Sequence, residues 1–256
     1  MSKIAQAFTN KKAFIAFITC GDPDLETTEK AVREMAKAGA ALIELGIPFS
    51  DPTAEGPVIQ AANVRALAAG TTTDKIFSMV ERLRQDVTIP MVFMTYANVV
   101  FSYGTERFMA RSAEVGIDGL ILPDVPFEEK DEFAPVCERY GLDWISFVAP
   151  TSEDRIERIA RDAKGFIYVI SSLGVTGVRQ SISTDLSGLI AKIRSVTQTP
   201  CAVGFGIAEP HQAREVSAVA DGVIVGSAIV KRMAQAGREA PQVLGEYVKA
   251  MVQAMG

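Results

Sequence analysis

Short apolar runs alternate with amphipathic stretches along the whole chain, and glycines mark many of the joins. The runs Ala13 to Thr19, Ala41 to Gly46, Pro90 to Thr95, Ile117 to Asp124, Leu142 to Val148, Phe166 to Ile170, Cys201 to Gly204 and Gly222 to Val225 read as buried strands. Stripes of helical period lie between them. One starts at Thr73 and carries Ile76, Val80 and Leu83 on one face; another starts at Ser152 and carries Ile156, Ile159 and Ala163. Helices are expected to close on Gly39, Gly116, Gly141 and Gly165, each followed at once or within a few residues by the next apolar run. The chain of 256 residues shared among eight such units gives 32 residues each, a fair length for one strand and its helix. The expected fold is therefore α/β, a single (β/α)8 barrel of the TIM type spanning residues 1–256, with an open doubly wound sheet as the alternative. Extra short helices are expected at the N-terminus, from Lys3 to Phe8 across the barrel bottom; after strand 2, from Pro57; and after strand 8, from Ser227 to Met233.

Composition narrows the function classes. Hydrophobic residues make up 48%, enough for one large core, and no apolar run reaches membrane-span length. The opening MSKIAQAFTNKKAF lacks the apolar centre of a signal peptide, so the cytoplasm is the expected location. Lys plus Arg number 26 against 31 Asp plus Glu, a net charge of −5 without the basic bias of a nucleic-acid binder. Three scattered cysteines, Cys20, Cys137 and Cys201, read as buried free thiols. His211 is the sole histidine, which leaves little for a histidine-based triad or metal site. The chemistry has to rest on carboxylates, hydroxyls and backbone groups.

Period-2 alternation in the second run puts Leu42, Glu44 and Gly46 on one face and Ile43 and Leu45 on the other, so Glu44 points with apolar neighbours. Desolvating a carboxylate is expensive, and a carboxyl whose pKa is raised by burial can both give and accept a proton near neutrality. Further acids follow at Asp51 and Glu55 in the Pro-rich loop and at Asp22 after the first strand. Glycine turns close the last strands, at Gly204 to Gly206 and at Gly226-Ser227, with a third at Gly174 to Gly177. Barrels often bind phosphate in such loops, where backbone N–H groups and a short helix meet the anion. In a barrel these turns share one mouth with Glu44, Asp22, Tyr96, Asn98, Asp124 and Tyr168, while Trp144 reads as core and His211 as surface.

The run Glu44-Leu-Gly-Ile-Pro-Phe-Ser-Asp-Pro, continued by Ala54-Glu55-Gly56-Pro57-Val58-Ile59-Gln60, resembles the signature of the tryptophan synthase alpha subunit family. Phe17-Ile-Thr-Cys-Gly-Asp-Pro, Tyr96-Ala-Asn98, Pro123-Asp-Val-Pro126, Gly174-Val-Thr-Gly177, Gly204-Phe-Gly-Ile207 and Gly226-Ser-Ala-Ile229 follow in the family's order. The resemblance implies reversible retro-aldol cleavage of indole-3-glycerol phosphate to indole and glyceraldehyde 3-phosphate. It implies Glu44, Glu55 and Tyr168 as catalytic residues, and substrate contacts from Phe17, Ile121, Thr176, Gly177, Phe205, Gly206, Gly226 and Ser227. It also implies a beta-subunit partner, in an alpha2beta2 complex, that holds pyridoxal phosphate and joins channelled indole to serine, with no cofactor in this chain. Loops 48–56 and 172–181 would close over substrate. The sequence departs from the family's pattern at Glu55, where aspartate is usual, and at Thr53, where an apolar residue is usual. A stand-alone lyase, and a weak subunit acting mainly as activator of the beta chain, are the competing readings.

Overall fold

The computed structural model describes residues 2–9, 11–171, 186–204 and 206–256. Its nine strands are β1 (Ala13–Thr19), β2 (Leu42–Gly46), β3 (Met91–Met94), β4 (Gly119–Ile121), β5 (Asp143–Trp144), β6 (Ser146–Val148), β7 (Ile167–Ile170), β8 (Cys201–Gly204) and β9 (Gly222–Val225). They form one sheet in the order β5-β4-β3-β2-β1-β9-β8-β7-β6, and all of its pairings are parallel. The two edge strands are halves of the run expected as a single fifth strand, interrupted only at Ile145. One half pairs with β4 and the other with β7, so the run turns from one neighbour to the next and the sheet closes on itself. The (β/α)8 barrel expected from the sequence is the fold observed, with this one strand split.

Alternation sorts each strand's side chains between two cores. Ile15, Phe17, Leu42, Val92, Met94, Ile121, Ile145, Phe166, Tyr168, Ala202 and Ile224 fill the barrel interior. Phe14, Ala16, Ile18, Ile43, Leu45 and their equivalents face outward, under the helices. Each large side chain buried this way contributes about 1.5–3 kcal/mol, so both cores hold the strand register.

The helices are α1 (Lys3–Gln6), α2 (Leu25–Lys37), α3 (Pro57–Ala68), α4 (Thr73–Leu83), α5 (Ala97–Tyr103), α6 (Thr105–Glu114), α7 (Ala134–Arg139), α8 (Ile156–Asp162), α9 (Leu186–Arg194), α10 (Pro210–Val219), α11 (Ser227–Ala236) and α12 (Ala240–Met255). Helix α4 starts at Thr73 as expected, and Thr72 before it is the cap, its hydroxyl accepting from the Lys75 N–H at 3.4 Å. The start expected at Ser152 is displaced. That hydroxyl accepts from the Ala149 N–H at 3.0 Å inside a 3₁₀ turn, and α8 begins only at Ile156. Helix α1 is shorter than expected and plugs the barrel bottom with Ile4, which is fully buried. Glycines make the seat, since a Cβ on Gly119 or Gly165 would lie 2.9 or 3.1 Å from Ile4. Among the described residues no helix is long and apolar enough to cross a membrane.

Candidate active site

Because all strands are parallel, their C-terminal ends open at one mouth. Glu44 lies in the middle of β2, beside Phe17 of β1 and Val92 of β3, and is 0% exposed. Neither carboxyl oxygen has a hydrogen-bond partner among the described residues. With no donor to stabilise the charged form, burial alone pushes its pKa from 4.5 to about 8. The alternation that placed Glu44 with the apolar face is thus borne out. Tyr168, in β7 across the interior, is also buried, and its hydroxyl is held well above the usual range by burial and then by the charge of Glu44. Its ring leans on Phe147 with centroids 4.9 Å apart.

Two strand-end glycines make room for the aromatic rings. A Cβ on Gly204 would lie 2.6 Å from the Tyr168 hydroxyl, and one on Gly46 would lie 2.7 Å from the Phe17 ring. Neither glycine is needed for an unusual backbone angle; each is needed because a ring occupies the space its side chain would take.

Above this floor a cavity of about 360 Å³ opens at the mouth, within the range of small-molecule sites. Met94, Pro123, Phe147 and Ile170 form its apolar wall, and Thr53 and Ala54 reach it from the loop after β2. Sequence reasoning left Pro123 without a role and did not single out Met94, Phe147 or Ile170. The signal was available, because Met94 and Ile170 stand two residues beyond the interior positions Val92 and Tyr168. Trp144, expected as core, is 9% exposed and stacks on Phe133, yet it also borders the cavity. Ile121 is fully buried in the interior and does not line this cavity.

The other acids separate into different roles. Asp22 is almost fully buried and bound in a bidentate pair by Arg65 of α3, at 2.7 and 2.8 Å. Asp51 is exposed and accepts from the Ser50 hydroxyl. Asp124 is exposed and caps α5 by accepting from the Ala97 N–H at 3.1 Å, while Asn98 faces outward on that helix. The convergence expected at the mouth therefore loses Asp22, Asp124 and Asn98, each engaged elsewhere or turned to solvent.

Glu55 is 6% exposed and does not line the apolar cavity. It accepts from Asn63 Nδ2 of α3 at 2.7 Å and from the Tyr96 hydroxyl. Burial raises its pKa to about 6, against the lowering effect of those two donors.

On the opposite wall, Gly206 has φ +86°, a conformation that favours glycine, and Gly226 caps α11 without a side chain. Ser227, 8% exposed, is the first residue of α11, so its N–H and that of Ala228 have no acceptor within the helix. The position of a Cβ on Gly226 lies 3.4 Å from Phe17, which joins this anion-ready turn to the interior aromatic wall. Thr176, Gly177 and Phe205, and the loop 172–181, lie outside the described residues. Among the described residues no cluster of three or more His, Cys, Asp or Glu side chains could hold a metal ion, and His211 is exposed.

Comparison with known proteins gives a consistent result. The family model for the tryptophan synthase alpha chain matches residues 4–255. A tryptophan synthase alpha chain from Lacticaseibacillus casei is 50% identical over 249 residues, covering 97% of this chain and 94% of the relative. One from Geotalea uraniireducens is 50% identical over 266 aligned positions, covering all of both chains. The tryptophan synthase subunit alpha from Legionella pneumophila superposes with TM-score 0.89 at 35% identity, covering 100% of this chain and 98% of that one. A chain of the tryptophan synthase complex from Pyrococcus furiosus superposes with TM-score 0.85 at 32% identity, covering 95% and 98%.

Proposed function

This chain belongs to the tryptophan synthase alpha chain family, and on that premise we propose that it cleaves indole-3-glycerol phosphate reversibly to indole and glyceraldehyde 3-phosphate. The observation that carries the reading is Glu44, a carboxyl buried beneath an apolar mouth with no hydrogen-bond partner among the described residues, its pKa pushed up to about 8. Held protonated near pH 7, it protonates indole C3. The resulting carboxylate then takes the proton of the side-chain hydroxyl next to the breaking bond. The hydroxyl's electrons form the aldehyde, the C–C pair returns to the ring as its cationic C=N bond is neutralised, and Glu44 ends protonated as it began.

The other residues follow from the substrate's shape. The flat ring lies against Met94, Phe147 and Ile170, with Phe17 and Ile121 as the deeper apolar floor. Tyr168, electrostatically coupled to Glu44, orients the reacting group. Glu55 supplies negative charge to the indole N–H as the indolenine cation develops, which needs its side chain to turn from Asn63 toward the ring. The phosphate meets the N–H groups at Gly206, Gly226 and Ser227, with Thr176, Gly177 and Phe205 completing that end of the site.

The relatives with solved structures include chains of tryptophan synthase complexes. The proposal extends this to a beta subunit in an alpha2beta2 assembly in the cytoplasm, with the pyridoxal phosphate in the partner and no cofactor in this chain. The test is release of indole from indole-3-glycerol phosphate by the purified chain, alone and with its beta subunit. Indole release that rises on adding the partner supports the lyase; no release in either state leaves only an activating subunit.

A further inference from the structure

The segment that roofs the cavity is pinned at three points. Tyr96 accepts the Ala54 N–H on its hydroxyl oxygen at 3.2 Å and donates its proton to the Glu55 carboxylate. Asn63 Nδ2 donates to Glu55 Oε2 at 2.7 Å, and Gln60 Nε2 donates to the Glu55 carbonyl at 2.7 Å. Both side chains that meet the carboxylate are nearly inaccessible, Asn63 at 4% and Tyr96 at 2%. Tyr96 is itself fixed by its ring, tilted on Phe49 with centroids 5.3 Å apart.

We propose that Asn63 and Tyr96 are positioning residues for Glu55, a two-donor clamp that keeps this longer acid ionised and in one rotamer while the site awaits substrate. The proposal rests on the role given to Glu55 in the lyase reading. A carboxylate in an enclosed site, with no cation touching it among the described residues, would otherwise take up a proton and lose the charge that the indolenine-like transition state needs. Two neutral donors offset that tendency without adding a counter-ion, so the negative charge stays available to the substrate. An arginine in their place would spend it.

The ionisable groups on the packed elements fit this assignment. On α3, Arg65 is two residues from Asn63 but is committed to Asp22. In the loop after β4, Asp124 is exposed and accepts from the Ala97 N–H at the start of α5. On the loop itself, Asp51 is exposed, and its neighbour Ser50 donates to it. The clamp residues are the groups that lower the pKa of Glu55, and burial is what raises it.

The test combines two readouts on the wild type, Asn63→Ala and Tyr96→Phe; the last removes one hydroxyl and keeps the ring on Phe49. The first readout is the carboxyl titration of Glu55 by NMR with labelled glutamate, assigned by its loss in Glu55→Gln. The second is the acid limb of kcat/KM for indole-3-glycerol phosphate with saturating beta subunit, which reports the carboxyl before substrate binds. Each variant should move both midpoints upward from about 6 by about one pH unit, the size expected for losing one charge-assisted hydrogen bond. Turnover lost at pH 6 should then recover toward pH 7.5.

A uniform drop in turnover with both midpoints unmoved would reduce the pair to structural residues and overturn the proposal. A shifted Glu55 titration with an unshifted acid limb would also overturn it, because the clamp would then serve a carboxylate the reaction does not use. Failure of the lyase reading itself appears separately, as a wild-type complex that releases no indole while the Glu55 titration still responds to both variants; the clamp would then have no catalytic purpose.

Discussion

Two buried acids within one short stretch, Glu44 and Glu55, have opposite surroundings, and the reaction proposed here uses the difference. Among the described residues Glu44 has no donor, and burial pushes its pKa up to about 8; Glu55 has two donors, which hold its raised pKa to about 6. The alternation of Leu42, Glu44 and Gly46 made the first of these legible, because an acid on an apolar strand face cannot be solvated. The second was legible only through the family resemblance, since a loop acid read alone looks solvated and its partners Asn63 and Tyr96 come from separate elements. The raised pKa of Glu44 also has a cost in stability with a definite sign. Between about 4.5 and 8 the folded chain holds a proton that the unfolded chain has released, so stability conferred by the protonated group is full below 4.5 and is lost as pH rises through 8. Glu44→Gln should therefore gain on the wild type by roughly 1.4 kcal/mol per pH unit across that window and level off above it. Denaturant unfolding of both proteins at several pH values checks this, and a gap that does not change with pH would mean that Glu44 is ionised in the folded chain.

The strands place these groups, and the glycines at their ends decide whether aromatic rings can join them. Strand positions and the alternation between two cores could be read from the sequence because apolar period and length carry that information directly. The split of the fifth run at Ile145 could not, because it comes from barrel closure, where one half hydrogen-bonds to β4 and the other to β7. The position of Ser152 inside a 3₁₀ turn was missed for a related reason, since its hydroxyl finds a local N–H before any α-helix begins. Gly204 offers a test at this scale. A Cβ there would fall 2.6 Å from the Tyr168 hydroxyl, so Gly204→Ala has to displace the ring or the strand. We expect a loss of about 1–3 kcal/mol in stability from overpacking and a larger loss in turnover than the fall in folded fraction explains. Calorimetry and steady-state cleavage on the same preparation check both, and unchanged values would mean that Tyr168 does not need its position.

At the scale of the molecule, the barrel gathers a buried carboxyl, an apolar wall and an anion-ready turn at one mouth, while α1 seals the other end. The division of that mouth predicts separable binding defects. Ser227→Asp places negative charge at the start of α11 and should weaken binding of glyceraldehyde 3-phosphate and indole-3-glycerol phosphate strongly, leaving indole binding within about threefold, less than one hydrogen bond's worth. Calorimetric titration of the three ligands checks this, and equal losses for all of them would indicate general damage to the barrel. In the proposed reaction Glu44 carries the proton transfers. The most direct test is steady-state cleavage of indole-3-glycerol phosphate by wild type and Glu44→Gln, each with saturating beta subunit, across pH 5 to 9. The wild-type rate should fall as pH rises through about 8, and a folded Glu44→Gln variant should be slower by about 10² to 10⁴-fold; a variant with near-wild-type turnover and the same basic limb would contradict a role for Glu44 in proton transfer.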